Sequence, residues 1–309
     1  MADRKNSSNS PISIYTVYSL ILSMGSRIGI DLGGTNIKAA LVTKKGRIIK
    51  DYETATEAEK GAKIVINNII SAINKVKSGK VLGIGIGSPG PMDYKNGIIT
   101  NPVNLPFRNV PLKKIIEKEF SLPVFLDNDA NCFALGEAIF GAGKKYQNVV
   151  GITLGTGVGG GIIINKKIYH GRGNAAELGH MTIKFDGLKA RSHNHGDIEE
   201  YVSARGVRRI FGGNPYLIYK LALKGNKKAI KKFKEMGYYL GIGLANIIYA
   251  FDPDIIVVGG KISNSWKFFS KAMYKTVKER YFAAPCPIVK SNLKNAGVLG
   301  AAALVIQNK

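Results

Sequence analysis

Two glycine-rich stretches of this chain have residue types suited to phosphate. The first reads Asp31-Leu32-Gly33-Gly34-Thr35-Asn36-Ile37-Lys38, and the second Thr153-Leu154-Gly155-Thr156-Gly157-Val158-Gly159-Gly160-Gly161. Glycine lets a backbone approach a phosphate closely and take φ > 0, and successive N–H groups then form an anion cradle. Thr35 and Thr156 add hydroxyl donors. Asp31 is the odd member, because a carboxylate repels phosphates unless a cation intervenes; it reads as a direct or water-mediated partner of Mg²⁺. Either stretch alone reads most simply as a hairpin turn, where glycine is common. Their repetition, with Asp31 just before the first turn, favours phosphate.

A second group, Asp127-Asn128-Asp129, ends an apolar run and precedes a helical one. A carboxylate there can point into a cleft and accept a proton, or cap the helix, or do both. A third group gathers all four histidines, His170, His180, His193 and His195, into one segment.

The elements that must hold these groups repeat. Strands are expected over 27–32, 37–42 and 48–53, a helix over 60–77 with isoleucines at helical spacing, and a strand over 81–87. Glycines alternating with apolar residues in that last strand signal close approach of another backbone. A helix over 112–120 completes a βββαβα unit, and a strand over 124–127 and a helix over 130–140 follow it. The pattern restarts with strands over 149–153, 161–164 and 167–169. An irregular insert follows over 170–196, then helices over 198–211, 215–224 and 227–251. A strand over 254–258 runs into Gly259-Gly260, and a helix (265–282), a strand (287–290) and a helix (296–306) end the chain. Each glycine-rich stretch is thus the turn of a β-hairpin in one of two similar domains facing across a cleft. Residues 155–160 also match G-x-G-x-x-G, but a dinucleotide loop must open a helix, and a short β-branched run follows instead.

A chain of 309 residues with 45% hydrophobic content is long enough for two domains with cores. Two distant cysteines, Cys132 and Cys286, exclude a disulfide framework and point to a reducing, cytoplasmic setting. Lys+Arg 45 against Asp+Glu 21 gives a formal charge of +24, which attracts phosphate-rich partners. The lysines are dispersed and no helix-turn-helix or zinc-finger spacing accompanies them, so nucleic acid is not the expected ligand. Residues 1–26 read as a disordered or dispensable extension; their apolar part, 11–24, is too short to span a membrane, and no other segment does.

Several motifs, in this order, together resemble the ROK (repressor, open reading frame, kinase) family: Asp31 to Thr35, Gly85 to Asp93, Asn101 to Pro106, Asp127 to Asn131, Gly155 to Gly161 and Glu177-Leu178-Gly179-His180. The resemblance runs from about Arg27 to the end. It implies an α/β, two-domain actin-like ATPase (ribonuclease H-like) fold, with 27–143 plus a C-terminal helix at 297–309 forming the small domain and 144–296 the large one. It implies transfer of the ATP γ-phosphoryl group to a hexose, as in a glucokinase or broad hexokinase, with N-acetylmannosamine, N-acetylglucosamine and fructose kinases open. It makes Asp129 the base and Asn128 a sugar ligand. Sugar contacts pass to Asn104, Asn128, Asp129, Glu177, His180 and Glu199 and the backbone at Gly90; Glu199 aligns better than Glu200. The ATP side would use Gly33, Gly34, Thr35, Asn36, Lys38, Thr156 and Gly157, with Gly259 and Gly260 near the adenosine, although a tight strand-to-helix turn also explains that glycine pair. A homodimer is implied.

Many members of the family hold structural zinc through the histidine of Glu-x-Gly-His and three cysteines downstream. This chain has no cysteine there, and the segment Ser192-His193-Asn194-His195-Gly196-Asp197 is shorter. A substitute set of His180, His193, His195 and Asp197 is conceivable, since zinc accepts His and Asp; the simpler expectation is a metal-free loop. The family also contains sugar-responsive repressors, but only 26 residues precede Arg27, and Asp129 and both loops are intact. An actin-like structural ATPase would share the fold without needing Glu177 and His180.

Overall fold

The computed structural model describes residues 25–307. The expectation for the N-terminal extension lies outside the described residues except at its end, where it is corrected: Ser26 is buried and already in the first strand, its N–H donating to the Lys80 carbonyl at 2.8 Å.

The first unit comprises β1 (Ser26–Leu32), β2 (Asn36–Val42), β3 (Ile48–Ala55), α1 (Ala62–Val76), β4 (Val81–Ser88), the short β5 (Met92–Asp93) and β6 (Ile98–Ile99), α2 (Leu112–Phe120), β7 (Val124–Asn128) and α3 (Asp129–Phe140). The second comprises β8 (Val149–Leu154), β9 (Val158–Ile164), β10 (Lys167–Ile168), α4 (Glu199–Val202), α5 (Ala204–Phe211), α6 (Pro215–Leu223), α7 (Lys227–Phe251), β11 (Ile255–Gly259), α8 (Trp266–Arg280), β12 (Ile288–Lys290) and α9 (Ala296–Gln307). The main sheets have orders β3-β2-β1-β4-β7 and β10-β9-β8-β11-β12, the same topology twice. β1 and β2 pair antiparallel, as do β8 and β9, so both glycine-rich stretches are hairpin turns.

The last helix of each unit packs on the sheet of the other. α3 lies on β8 and β9, and α9 lies on β1 and β4; the two helices also pack together. Strand glycines make this possible: a Cβ on Gly161 would stand 2.6 Å from the Ala134 Cβ, and one on Gly151 2.7 Å from it. Gly29 and Gly85 seat α9 in the same way, against the backbone of Val298 and Ala301. Strand 81–87 therefore alternates with glycine because a helix lies on it.

Two expectations are corrected. A single helix over 198–211 breaks at Ser203, which is extended (φ −79°, ψ 167°) and caps α5 by accepting the Gly206 N–H at 3.0 Å. The strand after the second glycine turn starts at Val158 rather than 161. Gly159, Gly160 and Gly161 pair with Thr153, Ile152 and Gly151, so they belong to the sheet beneath α3 rather than to the turn.

Candidate active site

The two turns are braced from behind. At the first, buried Thr56 donates its N–H to the Thr35 carbonyl at 2.8 Å and its hydroxyl to the Gly33 carbonyl at 2.6 Å. Thr56 was not foreseen, since an isolated threonine carries no sequence signal. Gly34 abuts Asn104: a Cβ there would stand 2.8 Å from the Asn104 Cβ. Asn36 and Lys38 share one face of β2 and are both engaged by Glu53, which accepts from Asn36 at 2.7 Å and lies 3.8 Å from the lysine ammonium.

At the second turn Glu199 is the brace. Its Oε2 accepts the Val158 N–H at 2.8 Å, and Arg205 pairs with its Oε1. A side chain on Gly157 would collide with this carboxylate. The break before α5 docks on the same turn, Ala204 donating its N–H to the Gly155 carbonyl at 2.9 Å. Glu200 is buried and paired with Arg205 (3.3 Å) and Arg209 (2.9 Å).

Asn128 is the N-cap of α3, accepting N–H groups from Ala130 (2.8 Å) and Asn131 (3.4 Å). Its amide nitrogen lies near Gly90, 3.6 Å from a Cβ built there. The two neighbouring aspartates differ sharply. Asp127 is buried; its Oδ1 accepts from Asn128 N (2.8 Å) and Asn131 Nδ2 (2.9 Å), and its Oδ2 lies 2.7 Å from His170 Nε2. Asp129 instead is an exposed residue, the first of α3. Loss of bulk solvent, then the charge of Asp31, with a smaller push from Glu177, raises its carboxyl to about 6; the Ala130 N–H opposes this. The shift is upward in the open cleft and grows as the cleft dries. Burial likewise raises Asp31, and Lys38 opposes it.

Glu177 precedes and His180 ends a single 3₁₀ turn, their side chains 3.8 Å apart. Behind His180, Nδ1 lies 3.3 Å from Oδ2 of buried Asp197, which also accepts the Ser192 hydroxyl at 2.6 Å. The substitute zinc set is not assembled: His193 and His195 are exposed. Among the described residues no group of three or more His, Cys, Asp or Glu side chains could hold a metal ion. His180 and Asp197 alone do not make a four-coordinate zinc site.

Two cavities adjoin the turns. One of about 580 Å³ is lined by Gly155, Thr156, Arg208, Tyr216, Tyr219 and Ile262 among others. The second, about 540 Å³, runs from Asp31 and Lys38 to Gly259 and Gly260. Asn264 lines both. Gly260 has φ 84° and Gly259 lies under the Phe133 ring, so the pair is a tight turn and a cavity wall at once. Tyr216 and Tyr219 gave no signal in sequence beyond a helical pattern.

Two sheets of one topology, exchanged helices and phosphate-type turns on both sides of a cleft define the actin-like ATPase fold. The chain belongs to the ROK family, whose model matches residues 27–308. It is 36% identical over 318 residues to a glucokinase of Halalkalibacterium halodurans, covering 91% of this chain and 95% of that one. A solved ROK family glucokinase of Streptomyces griseus, in complex with glucose and AMPPNP, superposes with a TM-score of 0.79 at 33% identity, covering 92% of this chain and all (100%) of that one. A xylose repressor of Caldicellulosiruptor bescii is 33% identical over 315 residues, covering 92% of this chain and 79% of the repressor.

Proposed function

We propose that this chain is an ATP-dependent hexose kinase, with glucose the first candidate and the 6-hydroxyl the acceptor. The observation that carries the reading is Asp129: an exposed residue on the first turn of α3, beside Asp31, with its proton affinity raised toward neutrality. Asp127 cannot serve as readily, because three donors occupy it.

Phosphoryl transfer asks a protein for in-line positioning, charge neutralisation and a proton acceptor. Asp129 takes the proton of the attacking hydroxyl as its oxygen bonds the γ-phosphorus and the bond from that phosphorus to the bridging oxygen breaks, ADP leaving; Asn128, Asn104, the backbone at Gly90, Glu177 and His180 satisfy the remaining hydroxyls. Asp197 behind His180 fixes its ring, leaving Nε2 for the sugar. The turns at Gly33–Thr35 and Thr156–Gly157 receive the ATP phosphates, and the cavity with Tyr216, Tyr219 and Ile262 receives the adenosine. Glu199 acts through the second turn, since its oxygens already hold Val158 and Arg205. Asp31 would hold the Mg²⁺ that accompanies ATP, directly or through water; a half-buried carboxylate beside the first turn, its proton affinity raised by desolvation, fits such a cation. A cation held there would neutralise phosphate charge. Closure between residues 27–143 with α9 and residues 144–296 would exclude water.

The test is a coupled ATP-to-ADP assay against glucose, mannose, fructose, N-acetylglucosamine and N-acetylmannosamine, with Asp129→Asn alongside. Sugar-dependent turnover lost in the variant supports the reading and names the substrate. The kinship with xylose repressors gives a second reading, sugar sensing without catalysis; sugar binding in a calorimeter with no turnover would favour it.

A further inference from the structure

We propose that His170 is a positioning residue, tying the loop that carries Glu177 and His180 to the strand end that carries Asn128 and Asp129. The proposal rests on the kinase reading above and adds a residue that the sequence motifs do not single out.

His170 lies two residues beyond the end of β10, and two sets of bonds leave it. Its backbone carbonyl accepts N–H groups from Gly173 at 2.7 Å and Ala175 at 3.2 Å, closing the turn that launches the chain toward Glu177. Its ring reaches the other sheet, where Nε2 meets the buried Asp127 carboxylate at 2.7 Å. The second oxygen of that carboxylate holds the Asn128 N–H and the Asn131 side-chain amide. One carboxylate therefore joins the imidazole to the N-cap of α3 and to its first turn, on either side of Asp129. The opposite side of the imidazole is covered by Tyr94, with ring centroids 4.4 Å apart. Tyr94 comes from the turn between β5 and β6, and its hydroxyl lies within the fields of Asp127, Glu177 and Asp129, so it too stands at the sugar end of the cleft.

The bond is strong enough to matter. Beside Asp127 the imidazole holds its proton more tightly than an ordinary histidine does, which favours a charge-assisted contact, and a buried carboxylate stripped of its partner is costly. A bond used only to stabilise the fold would lower the melting temperature and leave sugar kinetics alone. A bond that aligns the sugar loop with Asp129 predicts a loss in kcat/KM for sugar while the KM for ATP, bound at the other end of the cleft, stays put.

The experiment compares three variants. His170→Phe keeps a ring on Tyr94 but cannot bond Asp127. His170→Asn places its amide near the Nδ1 position, short of Asp127. His170→Gln places its amide near the Nε2 position. We expect the first two to lose about tenfold to a hundredfold in kcat/KM for sugar, the range for losing a hydrogen bond to a charged group, with KM for ATP unchanged and with glutamine recovering much of the loss. Combining His170→Phe with Asp127→Asn should cost less than the product of the single losses, because both remove one contact. Unchanged sugar kinetics in folded His170→Phe or His170→Asn, or an equal loss in all three variants, would overturn the proposal. Absence of sugar turnover in the unmodified protein would instead count against the kinase reading; sugar affinity measured by calorimetry then tests the tie on the same variants.

Discussion

Asp31 and Asp129 stand near one another at the cleft floor, one at the end of β1 and the other opening α3, and the charge of the first raises the proton affinity of the second. Asp31 also lies at the first turn of α9, where a Cβ on Gly297 would come 2.9 Å from its Oδ2. The site is built where two carboxylates and two helix starts converge.

A base must be deprotonated to act. The kcat/KM for sugar should therefore rise with pH through about 6, the value for Asp129. Asp31→Asn should move that limb to lower pH while reducing the plateau, since the variant also loses the carboxylate proposed to hold the cation. A pH–rate profile of both proteins reads this. A limb that stays in place would mean that Asp31 does not act on Asp129.

Asp129→Asn should lower kcat by about 10²–10⁴. Its effect on stability has the opposite sign. The folded protein holds this proton up to about 6, above the ordinary carboxylate value of 3.8, so it binds more protons than the unfolded chain between the two. Stability then falls as pH rises through that window and stays reduced above it. The asparagine variant should melt higher than the parent at pH 8 and alike at pH 3. Thermal melts at the two pH values decide the matter, and no gain at pH 8 would refute it.

The glycines of the second stretch separate into two kinds. Gly161→Ala would drive a methyl to 2.6 Å from the Ala134 Cβ, an overpacking that costs about 1–3 kcal/mol. Gly155→Ala meets nothing closer than 4.0 Å; it should fold normally and show its effect in the KM for ATP. Denaturant melts and steady-state kinetics on the pair check the contrast.

Glu199→Ala removes the acceptor for Val158 N–H and the partner of Arg205. Losing a charge-assisted bond of this kind costs about 1.5–3 kcal/mol, so the KM for ATP should rise about tenfold or more. If only the sugar KM moved, Glu199 would be a sugar ligand and not the brace of the second turn.

Much of this could be read from the sequence because it is local. Apolar periodicity marked both βββαβα units, and α2 and α7 begin and end where periodicity puts them. The glycine turns and Asp129 stand out by residue type. What escaped depends on distant packing. Gly159 to Gly161 look like a phosphate loop by composition, yet α3 requires Gly159 and Gly161, and the Ala176–Leu178 segment requires Gly160. Thr56 and Glu199 brace turns from 21 and more residues away, and no local pattern announces such a bond. The break at Ser203 was hidden because a serine tolerates a helix interior as well as a cap. His180 and Asp197 meet, but His193 and His195 fall on a loop whose path the spacing did not determine.

The exchange of α3 and α9 bears on motion. Asp129 begins a helix that comes from one sheet and rides on the other, braced along its length by α9, which makes the reverse crossing. Under the closure proposed above, two lobes joined by such a pair of crossed arms would rotate about the arms themselves. The residue at the root of an arm would lie near the axis and travel least, while the glycine turns at the strand ends would swing through wider arcs. Closure would then bring the phosphates to a nearly stationary aspartate.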